Sequence, residues 1–167
     1  SLEISSFQLD LIDQFKPKVA MILNITPDHL NRYENSVEKY ALSKLRVFEN
    51  QDENDFLILN KDSELLNQYF KKAKSNILFF STSKKVSNGC YLENDKVKYV
   101  RNDIEEFSCK VSDIFIKGEH NIQNAMAVII AATIFNLNNK KIIEALKSFK
   151  GVEHRLELVR EIDGVKI

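Results

Sequence analysis

An α/β fold is predicted, with a mostly parallel sheet flanked by helices and a small antiparallel sheet. Three observations predict it. Residues 19–26 (VAMILNIT), Phe56–Asn60 and 76–80 are short, nearly continuous apolar runs, the pattern of strands buried on both faces. Polar-faced helical patterns separate or follow these runs, which is the alternation of α/β proteins. Between residues 81 and 117 the texture changes: Cys90-Tyr91-Leu92 and residues 97–100 flank the turn cluster Glu93-Asn94-Asp95. This stretch, about residues 85–117, is expected to form the antiparallel part.

Each element follows from a local pattern. Residues 2–11 read as strand-like. Pro27 stops the run that begins at Val19. Residues 35–50 read as a helix, with Asn35 as cap and Glu38 three residues on. A polar helix is expected over residues 62–74. Gly118 and Glu119 open a helix to about Phe135 that is apolar on nearly all sides and therefore expected to be buried. The next helix, about residues 139–150, carries a stripe of Ile142, Ile143, Leu146 and Phe149, with Gly151 where a C-cap belongs. Residues 156–162, Asp163-Gly164 and 165–167 read as a hairpin.

Composition narrows the function. The chain has 167 residues, 44% hydrophobic and 29% charged, the balance of one globular domain. Twenty-four basic residues offset 24 acidic ones, so no electrostatic footprint for nucleic acid or an anionic membrane exists. The longest apolar run, residues 125–132, is far below the ~20 residues of a membrane span. Cys90 and Cys109 lack metal-site spacing and read as ordinary thiols of a reducing compartment. With no leader pattern visible, a cytoplasmic protein is expected. The chain opens on Ser1 inside a structured pattern and stops in what reads as a strand, so a piece of a longer polypeptide is expected.

Several residues break the pattern. On the helix over 35–50, Val37, Tyr40, Ala41, Leu45, Val47 and Phe48 form one stripe, and Lys44 falls near its middle. Two roles suit such a lysine: a snorkelling side chain whose amine reaches water, or a buried functional amine. His29 and Asp28 follow a buried strand, where open α/β folds bind ligands. His29 is either a loop hydrogen-bonder or a metal ligand. Glu3, near Ser5, Ser6 and Gln8, is either solvent-facing or a Mg²⁺ ligand, since Mg²⁺ takes one or two carboxylates with phosphates and waters. Asn121 and Asn124 share a face near a helix start, suited to capping or to an anionic ligand. His154-Arg155 suits a phosphate clamp or a surface pair. No glycine-rich phosphate loop occurs in the chain.

Taken in order, these stretches resemble the Mur ligase family. Residues 3–9 (EISSFQL), 24–30 (NITPDHL) with Arg32-Tyr33, 43–46 (SKLR) with Glu49-Asn50, 118–125 (GEHNIQNA) and 151–157 (GVEHRLE) carry the resemblance. The first stretch is similar to the member that adds D-glutamate. The resemblance implies a P-loop NTPase-like central ATP-binding domain over residues 1–167. The uridine-nucleotide domain, the phosphate loop and the amino-acid domain would lie outside the chain, so the fragment alone would be inactive. It implies a cytoplasmic, monomeric ATP-dependent ligase of peptidoglycan precursor synthesis. That enzyme would join D-glutamate to UDP-N-acetylmuramoyl-L-alanine through an acyl phosphate. It implies two Mg²⁺ held by Glu3, His29 and a carbamylated Lys44, with Lys44 and His29 catalytic. Asn121, Asn124 and Arg155 would contact the nucleotide, and Ser5 the muramoyl substrate. The competing readings are another Mur or folylpolyglutamate-type ligase, or a non-catalytic nucleotide-binding module.

Overall fold

Six strands form one sheet whose spatial order is their sequence order: β1 (Val19–Ile22), β2 (Phe56–Asn60), β3 (Asn76–Ser81), β4 (Asn88–Glu93), β5 (Lys96–Arg101) and β6 (Ile104–Lys110). The computed structural model describes residues 1–151, 161–162 and 165–166. Strands β1 to β4 are parallel, and β4, β5 and β6 are antiparallel. The antiparallel strands thus continue the main sheet. The β4–β5 connection turns at Asn94 and Asp95, both with positive φ, as a tight hairpin requires.

Among the described residues the α-helices are α1 (Ser6–Leu9), α2 (Val37–Leu45), α3 (Glu64–Tyr69), α4 (Glu119–Ile134) and α5 (Asn139–Ser148). Alternation along the strands divides the core into two layers. Leu57 and Leu59 of β2 pack with Leu9, Leu45, Val47, Phe48 and Leu66, on the side of α1, α2 and α3. Ile58, Leu78 and Phe80 pack with Met126, Ile129, Ile130 and Ile142, on the side of α4 and α5. Burial on both faces explains why β2 reads as an unbroken apolar run.

Several local expectations change. Residues 2–11 are not a strand. Ser5 caps α1, accepting from the Gln8 amide at 3.4 Å while the Gln8 side chain accepts from the Ser5 amide at 2.9 Å. This reciprocal pair, a capping box, settles the helix against the β-like hydrophobicity of the run. Ser36, not Asn35, caps α2 through the Lys39 amide at 3.2 Å, because Asn35 is left-handed with φ 57°. The helices over 35–50 and 62–74 tighten into 3-10 turns at Arg46–Phe48 and Phe70–Lys72. Helix α4 is not buried all round: Val128 is 54% exposed. Phe149, not Gly151, is the C-cap of α5 and is half exposed. Near the chain's end, Glu161–Ile162 (β7) pairs antiparallel with Val165–Lys166 (β8), as the hairpin pattern anticipates.

Cys90 and Cys109 are buried free thiols, and burial pushes the Cys109 thiol up to about 11, which leaves it a poor nucleophile. Among the described residues, no helix is long and apolar enough to cross a membrane.

Gly89 joins β4 to β3. Its φ is +127°, and a Cβ there would lie 1.9 Å from the Phe79 carbonyl oxygen. Gly89→Ala is expected to cost at least the ~1–3 kcal/mol of a strained backbone position, lowering the denaturant midpoint. An unchanged midpoint would contradict this packing.

Candidate functional site

The carboxyl ends of parallel strands are the ligand edge of an open α/β sheet. Strand β1 ends there and leads to Asp28 and His29. His29 has left-handed backbone, φ 49°, and heads the 3-10 turn Leu30–Tyr33. Its ring is 63% exposed, and Nε2 stands 3.5 Å from the Asp28 carboxylate. The Phe7 ring of α1 lies 5.5 Å from the imidazole, and the Arg32 guanidinium sits 4.5 Å above the same Phe7 ring. The His29 loop is therefore held against α1.

At the other end of this turn, the Tyr33 ring packs against Tyr40 of α2, centroids 5.4 Å apart and planes tilted by 58°. Lys44, one helical turn beyond Tyr40, is half-buried, with Nζ 5.0 Å from the Tyr40 ring centre. Lys44 thus lies along the apolar stripe with its amine at an aromatic face. Aromatic contacts run from His29 to Phe7 and from Tyr33 through Tyr40 to Lys44, and the Leu30–Tyr33 turn joins the two sets. They place His29 and Lys44 on adjoining elements.

A hydrogen-bonded node underneath was not anticipated from the sequence. Asp10, just past α1, accepts from Tyr33 Oη at 3.0 Å and from Ser43 Oγ at 2.6 Å. The Ser6 carbonyl lies 3.0 Å from the same serine oxygen. Arg46 donates to the carbonyls of Asp10 and Ile12 at 2.7 and 2.9 Å. Ser43 is buried on the face of α2 that otherwise carries Tyr40, Ala41 and Leu45. A hydroxyl on an apolar stripe was the available signal.

A second polar cluster occupies the carboxyl ends of β2 and β3. Asp62 accepts from Ser81 Oγ and Ser83 Oγ, both at 2.6 Å, and from the Thr82 amide at 2.8 Å. Thr82 Oγ1 lies 3.0 Å from Glu119 in the first turn of α4. Burial alone would raise the Asp62 pKa, but the hydrogen bonds from Ser81, Ser83 and Thr82 outweigh it and hold the carboxyl below its usual range. Gly118, at φ +105°, makes the turn into α4. Asn121 donates from Nδ2 to the Lys117 carbonyl at 2.7 Å, closing that turn, and Asn124 follows on the same face. The asparagines therefore lie across the sheet from α1 and α2.

Ser5 is exposed, and its hydroxyl serves the α1 cap. Glu3 is exposed two residues earlier. His154 and Arg155 lie outside the described residues. Among the described residues, no group of three or more His, Cys, Asp or Glu side chains gathers as a metal cage. The donor chemistry nonetheless suits Mg²⁺, which takes few protein ligands and completes its shell with phosphate and water. Asp28 provides an exposed carboxylate for such a site, with the His29 imidazole 3.5 Å away.

An α/β domain with helices on both faces of its sheet and polar groups at the carboxyl edge of its parallel strands is the class that fold and site define. The family model described as Mur ligase middle domain matches residues 1–132, and the chain belongs to this family. It is 44% identical over 166 residues to a UDP-N-acetylmuramoylalanine--D-glutamate ligase of Caldicellulosiruptor bescii, covering 99% of this chain and 36% of that protein. The ligase of the same name from Christiangramia forsetii is 42% identical over 166 residues, covering 98% of this chain and 37% of that protein. The chain thus spans about a third of these curated relatives. Among solved structures, MurF from Acinetobacter baumannii aligns with TM-score 0.66 at 19% identity, covering 89% of this chain and 32% of that one. MurF from Thermotoga maritima in complex with ADP aligns at TM-score 0.62 and 19% identity, covering 87% and 34%. At such identities these structures show the shared fold.

The lowered Asp62 pKa has a definite sign for stability. A carboxyl depressed in the folded state stabilises fully above its unfolded value, near 3.8, and loses that contribution as pH falls through the lower native value. The stability advantage of the native chain over Asp62→Asn is expected to be constant near neutrality and to shrink below pH 3.8. Denaturant melts of both proteins across acid pH check this; an advantage that grows on acidification would contradict it.

Proposed function

We propose that this chain is the central ATP-using domain of an amide ligase that adds D-glutamate to UDP-N-acetylmuramoyl-L-alanine in peptidoglycan precursor synthesis. The observation that carries this reading is 44% identity across 99% of the chain to a ligase of that name. The domain would work with flanking domains, over residues 1–167, in a cytoplasmic monomer.

The chemistry proposed has two displacements. A carboxylate oxygen of the muramoyl substrate attacks the γ-phosphorus of ATP, and ADP leaves. The D-glutamate amine then attacks the acyl carbon, phosphate leaves, and the nitrogen loses a proton to give the amide. The first step brings a carboxylate onto a polyanion, so charge neutralisation and alignment dominate the barrier. Mg²⁺, when bound, would supply the neutralising charge, held by Glu3 and His29 with carbamylated Lys44. The half-buried position of Lys44 over Tyr40 supports the last assignment. A carbamate on Lys44 would turn a cation into an oxygen ligand. Asn121, Asn124 and the amino end of α4 would orient the nucleotide, with Arg155 as a further contact, because free N–H groups and the helix dipole suit phosphate. Ser5 would face the muramoyl substrate.

In the full-length enzyme, Lys44→Ala is expected to lower D-glutamate-dependent ADP release by about 10²-fold or more, while Lys44→Glu, which restores a carboxylate, keeps measurable turnover. Full activity in the alanine variant would remove Lys44 from the mechanism. Full activity with another amino acid, and none with D-glutamate, would assign the chain to a different ligase. The isolated chain has no glycine-rich phosphate loop and is expected to bind ATP weakly; micromolar affinity by calorimetry would contradict that.

A further inference from the structure

We infer that Asp10 is a positioning residue for the cation site, acting through Ser43 and Tyr33; this rests on the proposed ligase reading. Its two carboxylate oxygens are spent on two different elements. Oδ2 takes the Tyr33 hydroxyl, at the end of the turn that His29 begins, and Oδ1 takes the Ser43 hydroxyl, the residue before Lys44. Tyr33 and Ser43 are 8% and 5% exposed, so both bonds are shielded from competing water. Asp10 is itself fixed from behind, because Arg46 holds its backbone carbonyl at 2.7 Å and Glu49 accepts from Arg46 Nε at 2.6 Å.

The geometry converts this anchoring into aim. Successive residues of an α-helix point about 100° apart, so turning Ser43 inward to Asp10 sets the direction of Lys44. That direction lays the lysine along Tyr40, four residues earlier, whose ring packs at a tilt against Tyr33. One carboxylate therefore fixes both the rotation of α2 about its axis and the seat of the His29 turn. Supporting groups that orient a metal's ligands without touching the metal are worth about 10–100-fold in affinity or activity.

The test uses the full-length enzyme with nucleotide bound. Two readouts are taken: the Mg²⁺ concentration giving half-maximal D-glutamate-dependent ADP release, and Mn²⁺ affinity from the electron paramagnetic resonance signal of free Mn²⁺. Asp10→Asn and Ser43→Ala are expected to raise the first and weaken the second by about tenfold or more. Ser43→Thr, which keeps the hydroxyl, is expected to restore both. Gln51→Leu is the comparator. Gln51 is buried and donates to the Pro17 and Phe56 carbonyls at 2.9 and 3.0 Å, where β1 and β2 begin, so its loss lowers stability away from the node. It is expected to leave the metal midpoint unchanged.

Folded Asp10→Asn and Ser43→Ala proteins with native Mn²⁺ affinity would overturn the inference, as would an equal weakening in Gln51→Leu. If Asp10→Asn does not fold, the contrast of Tyr33→Phe and Ser43→Ala with Ser43→Thr decides on the same criterion. A native enzyme that releases no ADP on addition of D-glutamate would sink the ligase reading, while the Mn²⁺ measurements still decide the role of Asp10.

Discussion

The half-buried carboxylate of Asp10 is the constraint on which the arrangement around Lys44 and His29 depends. It joins the end of α1, the Leu30–Tyr33 turn and the last turn of α2. An apolar contact among them would tolerate sliding and rotation. A carboxylate that accepts at both oxygens fixes direction, and leaving one shielded hydroxyl unpaired would cost about 1–3 kcal/mol. Side-chain bonds to backbone carbonyls extend the clamp: Arg46 holds residues 10 and 12, and Asn50 holds 13 and 15. The irregular segment between α1 and β1 is tied along its length to the end of the helix bearing Lys44.

The sheet separates two kinds of chemistry. On one side, α1 and α2 carry the residues proposed to handle cations; on the other, α4 presents its amino end and the two asparagines. The Asp62 cluster bridges the ends of β2 and β3 to α4 through Thr82 and Glu119. Lys16 lies at the sheet's other edge, salt-bridged to Asp52 and Asp55; the hydrogen bonds from Lys16 and the Asn54 amide lower the Asp52 pKa to about 2. The cluster fastens the start of β1 to the start of β2; its exposed Lys16–Asp52 pair adds little net energy, while Asp55 is buried beneath it.

Much of the fold was legible because its parallel strands are buried on both faces, and only apolar side chains tolerate that. The run Phe56–Asn60 is a strand at those very bounds. The α1 region was misread because alternation over ten residues looks like a strand until Ser5 and Gln8 are recognised as a reciprocal cap. Asn35 looked like a cap, yet Ser36 does the work, since position along a turn decides which side chain faces the first amides. At the site, Lys44 was visible as a charge on an apolar stripe. Asp10 was not, because its significance lies in partners 23 and 33 residues away, and sequence spacing carries no trace of such pairing. The roles given to Glu3, Ser5 and Arg155 come from motif resemblance, and the first two are exposed side chains here.

The central claim is that His29 and Lys44 serve one cation. Paramagnetic broadening measures it directly, in full-length enzyme loaded with nucleotide and Mn²⁺ and labelled at histidine and lysine side chains. The His29 ring and the Lys44 terminal methylene signals are expected to broaden together at the same Mn²⁺ concentration. Broadening of His29 with a sharp Lys44 signal at saturating Mn²⁺ would contradict it.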